Sequence, residues 1–135
     1  MKKAYKILLL VMVSIVMMVW ATQAFAFDIV PFADEVFDRA SITLYSDKTV
    51  TFSGKTFGSK DVISVTACSL EEKDGNRWYH VTTLTPPDHV ARGTFIYDSE
   101  RDYGDNIPKG GPYRIKATFN ADGYKIVRYS NERSF

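Results

Sequence analysis

Residues 62–84 read VISVTACSLEEKDGNRWYHVTTL, and this stretch decides the fold class. Two runs rich in β-branched and aromatic residues, 62–71 and 77–84, flank Lys73-Asp74-Gly75-Asn76. Such side chains suit a pleated, half-buried surface, and Asp-Gly between them marks a hairpin because glycine accepts positive φ without steric cost. In the first run Ile63, Val65, Ala67 and Ser69 share one face, and Val62, Ser64, Thr66, Cys68 and Leu70 share the other. In the second, Trp78, His80, Thr82 and Leu84 oppose Tyr79, Val81 and Thr83. Pro86-Pro87 closes the hairpin's second strand, since neither residue can donate to a ladder.

The same period of two extends in both directions. Upstream, Ile42 and Leu44 share a face within 41–45, and Val50 and Phe52 within 49–53, across a turn at Ser46-Asp47-Lys48. Gly54, Gly58 and Ser59 then break the pattern. Downstream, 93–97 is a short strand, followed by a polar loop over 98–111. The cleanest alternation is 113–119, with Tyr113, Ile115, Ala117 and Phe119 opposing Arg114, Lys116 and Thr118. Asn120-Ala121-Asp122-Gly123 turns the chain into a last strand, 124–129. No stretch after Ala40 sustains a 3.6-residue period. Seven short strands punctuated by turns predict an all-β, two-sheet antiparallel sandwich over 41–135.

The N-terminus is of another kind. Lys2, Lys3 and Lys6 precede an apolar run, 7–21, broken only by Ser14, and Ala24-Phe25-Ala26 ends it. That is the pattern of a secretory signal helix cleaved after Ala26, leaving Phe27 as the mature start. The alternative is an uncleaved membrane anchor, against which the apolar run is short of the ~20 residues that span hydrocarbon. Residues 27–40, interrupted by Pro31 and four acidic residues, form an N-terminal arm. Val36 and Phe37 could make one helical turn there, with Phe32 or Phe37 laid over the end of the domain.

Composition sets the limits. The chain has 135 residues, 17 Lys and Arg against 16 Asp and Glu, and one cysteine. Every acidic residue lies beyond the leader, so residues 27–135 carry a net charge of −2. That excludes a polybasic nucleic-acid binder and a disulfide-stapled mini-protein. It leaves room for one domain with a modest core.

Gly111-Pro112-Tyr113-Arg114-Ile115-Lys116-Ala117 resembles the sixth-strand entry of immunoglobulin-like and fibronectin-like domains. The resemblance implies that the Tyr113 hydroxyl bonds back to the backbone and pins a corner. The hairpin containing Trp78 is similar to the central hairpins of those domains. The whole chain, leader included, resembles small exported Firmicutes proteins of an uncharacterised family, which supplies no catalytic residues. The cysteine pair of immunoglobulin domains is absent, as Cys68 stands alone.

Candidate chemistry is sparse. Cys68 in mid-strand reads as a buried structural thiol; the alternatives are an intermolecular disulfide or a nucleophile served by His80 on the neighbouring strand. Carboxylates alternate through Asp98, Glu100, Asp102 and Asp105 as in a calcium loop, but Gly104 falls one position late and Lys109 stands where a bidentate Glu is needed. His80, His89 and Cys68 lack zinc-ligand spacing. Aromatic side chains are in surplus, and Trp78, Tyr79, Tyr97 or Tyr103, if exposed together, would make a contact patch for a protein or a glycan. Arg114, Lys116 and Arg128 form a small basic stripe that reads as a solubilising face. The expectation is therefore a secreted, monomeric, non-enzymatic binding module without metal or cofactor. Its contact patch is placed at Tyr97, Asp98, Glu100, Asp102, Tyr103 and Asp105, with Tyr113, Trp78 and Cys68 structural. A membrane-anchored envelope protein and a small Cys/His hydrolase stand as alternatives.

Overall fold

The computed structural model describes residues 33–135. The expected signal segment with its expected cleavage position, and Phe32, lie outside the described residues. One helical turn, α1 (Ala33–Val36), leads into β1 (Phe37–Leu44), β2 (Thr49–Asp74), β3 (Arg77–Leu84), β4 (Val90–Asp102), β5 (Tyr113–Ala121) and β6 (Tyr124–Tyr129). The class is all-β, as the alternation predicts. The six strands are hydrogen-bonded into one curled antiparallel sheet, in place of seven strands in two sheets.

The difference lies in β2. Its 26 residues absorb the two strands expected at 49–53 and 62–71, with Gly54, Gly58 and Ser59 inside it. The first half of β2 pairs with β1 on one side and β4 on the other. The second half pairs with β5 and with β3, while β6 adds to β5. Between them the strand bends: Lys55 pairs with Ile96 and Lys60 with Thr94, so residues 56–59 stand opposite Phe95 alone. Gly58 takes φ +87° there, a conformation that costs other residues a steric penalty. The buried Thr56 hydroxyl donates to the Gly58 carbonyl at 2.7 Å and holds the bend.

Each irregularity resets which side chains face inward. Val50, Phe52 and Thr56 are buried before the bend, and Ile63 and Val65 after it. Val65 pairs with Phe119 and Ala67 with Thr118, leaving Thr66 as an extra residue. Such a bulge shifts the parity of a strand by one. Cys68 and Leu70 are therefore buried, and Ala67 and Ser69 belong to the outer face, contrary to the unbroken alternation expected for 62–71. In β5 no such shift occurs, and Tyr113, Ile115, Ala117, Phe119 and Ala121 are all buried.

The core joins the two halves of the curl. Phe119 of β5 meets Phe37 of β1 edge-on at 6.4 Å and Tyr97 of β4 at 6.2 Å. Phe37 is thus a core residue within β1, which starts four residues before the expected strand. Beyond β6 the chain runs back along β5, with Ser130 N–H donating to Ile115 O and Arg133 bridging Tyr113. The Asn131 side chain then bonds both the N–H and the carbonyl of Leu44, at 2.9 and 3.0 Å, tying β1 to the end of β6.

Candidate functional site

A groove of about 510 Å³ lies on the outer face of the β6–β5–β2–β3 half. From β2 come Thr66, Ala67 and Ser69, which face outward because of the Thr66 bulge. From β3 come His80 and Thr83, on either side of a second bulge at Val81, where Leu70 pairs with Thr82 and Glu71 with His80. From β5 come Lys116 and Thr118, and from β6 Val127. Pro86 closes one end, and the buried Cys68 and Leu84 lie beneath. Bulges bend a strand and sharpen its twist, which accounts for a hollow at this place.

The cations on this face differ in their engagement. Arg114 Nε bonds Glu71 Oε1 at 2.8 Å, with both side chains largely buried. Its guanidinium lies 4.3 Å from the Trp78 ring centroid and 4.0 Å from that of Tyr129. Trp78, expected to be structural, is thus part of a rigid rim whose charge is already neutralised. Lys116, two residues along β5 and opposite Ser69, is half-buried, and its side chain has no hydrogen bond or ion pair among the described residues. Among the described residues no carboxylate lines the groove. The three members of the expected basic stripe are therefore engaged differently: Arg114 is locked, Lys116 faces a cavity, and Arg128 Nη1 donates to Val127 O at 3.1 Å.

The patch expected at 97–105 is dispersed. Tyr97 and Tyr103 are core residues, at 0% and 1% exposure, which corrects their assignment to an exposed patch. Their hydroxyls are used internally: Tyr97 Oη donates to His89 O at 3.1 Å and Tyr103 Oη to Thr85 O at 2.6 Å. Together with Arg101, which bonds Pro86 O, they fasten the β3–β4 connection. The polar loop also starts later than expected, because β4 runs on to Asp102 by pairing with residues 49–55. Asp98, Glu100 and Asp102 form an exposed row along β4, with Asp98 accepting from Ser53 Oγ at 2.9 Å. A shallower hollow of about 450 Å³ lies between Asp98, Glu100 and Thr51. Alternate strand positions set these carboxylates ~7 Å apart, too wide to converge on one cation. Asp105 is exposed in the turn after Tyr103. Among the described residues no group of His, Cys, Asp and Glu could hold a metal ion.

Cys68 is buried against Tyr103, with Sγ 3.8 Å from the phenolic oxygen. Burial pushes its thiol up to about 11, so it keeps its proton at neutral pH. His80 is exposed on the outer face, and no hydrogen bond links it to the thiol. Tyr113 is buried, and its hydroxyl donates back to Lys109 O at 3.4 Å, the backbone contact that the resemblance implied. Residue patterns pointed to Lys116 and His80 but not to the groove that both line, which depends on four strands and two bulges. No protein-family model matches the chain, and neither the curated proteins nor the solved structures include a match.

Proposed function

We propose that the chain is a secreted, non-enzymatic binding module that works by surface contact, using the groove across β6, β5, β2 and β3. The observation that carries this is the lining itself: residues bearing hydroxyls on three strands, and a lysine whose side chain has no ion pair among the described residues, line one hollow. Concave sites with a few placed polar groups are where ligands are held. The two halves of the curled sheet are read as the layers of an immunoglobulin-like sandwich that share β2. The apolar leader supports export, and detection of Phe27 as the first residue of the protein in the culture medium would support cleavage over anchoring. The protonated, inward-facing Cys68 supports a structural thiol over a hydrolase nucleophile.

The test is retention of the purified domain on panels of glycans and cell-surface proteins. Thr118→Trp fills the groove from a half-buried outward position on β5 and keeps a residue that favours strands. Retention is expected to fall at least tenfold with the circular dichroism spectrum unchanged. Glu100→Gln, on the other half of the curl, is expected to leave retention as it was. The opposite pattern would move the contact surface to the acidic row on β4.

A further inference from the structure

We infer that the groove selects a sugar ring carrying a carboxylate, as in an acidic glycan; this rests on the groove being the contact surface. Three features of the lining converge on that chemistry. Among the described residues, Lys116 is the one cationic side chain on the groove wall, and no carboxylate shares the wall with it. The nearest acidic group in register, Glu71, is held by Arg114 at 2.8 Å. An anion entering the groove therefore meets one compact positive charge, half-buried and so less screened than a fully exposed one.

Hydroxyls surround that charge. Ser69 lies opposite both Lys116 on β5 and Thr83 on β3, and Thr66 and Thr118 continue the wall. Each can donate and accept, as vicinal sugar hydroxyls require, and His80 adds a ring nitrogen at the β3 edge. Ala67 and Val127 add apolar surface to the lining for the C–H face of a pyranose ring. A phosphate dianion would call instead for a guanidinium fork or several converging N–H donors. None of Arg114, Arg101 and Arg128 is among the described lining residues: Arg114 is committed to Glu71 and to two aromatic rings, Arg101 Nη1 donates to Pro86 O and Arg128 Nη1 donates to Val127 O.

The experiment is a titration of the labelled domain with tetragalacturonate, its methyl ester and inorganic phosphate, followed by amide resonances. Tetragalacturonate is expected to shift Ser69, Thr83, Lys116 and Thr118, with the neutral ester bound at least tenfold more weakly and phosphate shifting none of them. Lys116→Gln is expected to weaken the acid about tenfold, the size of one charged hydrogen bond, and to leave the ester unchanged. Equal binding of acid and ester would overturn the selection for charge while keeping the groove as a contact surface. A phosphate response equal to that of the acid would overturn the sugar. If tetragalacturonate shifts no groove amide, the inference falls, and Thr118→Trp retention judges the contact surface separately.

Discussion

Asn131 does with its side chain what a strand does with its backbone. Its amide oxygen accepts from Leu44 N–H and its amide nitrogen donates to Leu44 O, while Arg133 Nε reaches the same carbonyl at 2.8 Å. Leu44 is fully buried, so Asn131→Ala strands its N–H without a partner. The expected loss is about 1–3 kcal/mol by urea denaturation. Asn131→Asp keeps the acceptor and should lose less; an unchanged midpoint for the alanine variant would deny the amide its closing role. Cys68 gives a pH dependence of defined sign. Burial raises its thiol from 9.0 to about 11, and burial raises the Tyr97 and Tyr103 hydroxyls as well. Between these values the folded chain keeps a proton that the unfolded chain has released. Stability is therefore full below about pH 9 and falls as pH rises toward 11, by up to about 1.4 kcal/mol per pH unit for the thiol. Urea midpoints that stay flat from pH 8 to 10.5 would show that this thiol ionises freely.

Strand β5 was legible because nothing interrupts the relation between residue parity and face. Tyr113 to Phe119 alternate in the sequence and alternate in burial. Strand β2 was legible only in pieces. A bulge adds one residue, and Thr66-Ala67 carries no mark that distinguishes an extra residue from an ordinary one. Gly58 was read as a stop, yet its positive φ bends a strand that continues. Gly58→Ala meets no atom within 4 Å, so its cost is conformational alone, about 1–2 kcal/mol, and Gly58→Asn should recover part of it. Equal stability of all three proteins would mean that the bend does not need the left-handed backbone. Strand β4 misled for a different reason. The run Asp98-Ser99-Glu100-Arg101-Asp102 has no apolar residue, and what makes it a strand is the partner at 49–53. Tyr97 and Tyr103 at its ends looked like a surface pair, because a tyrosine's polar tip is compatible with either side of a sheet. Their hydroxyls find carbonyls in the β3–β4 connection, a long-range fact outside any local pattern.

At the scale of the molecule, one strand serves both halves of the curl, and this ties their fates together. The first half holds β1 and the end of β4; the second holds β3, β5 and β6; β2 is the hydrogen-bonded partner of β1, β3, β4 and β5. The groove was illegible in the sequence for this reason, since Ser69, Thr83 and Lys116 become neighbours only when the second half is assembled. Core packing couples the halves again, with the Phe119 ring touching Phe37 and Tyr97 across the curl. Neither half can bury its inner face alone, so unfolding is expected to be a single cooperative transition. Trp78 is the one tryptophan of residues 27–135 and reports on the second half, packed against Arg114. Its fluorescence and the far-ultraviolet signal of all six strands should change at the same urea concentration. Phe119→Ala removes the shared ring at a cost of about 3–5 kcal/mol and should move both signals by the same amount. Were the second half a separate unit, Phe119→Ala would lower the Trp78 midpoint alone while the strand signal split into two steps. Coincident curves in both proteins would instead mean that the groove exists only when the whole sheet is closed, with binding and global stability rising and falling together.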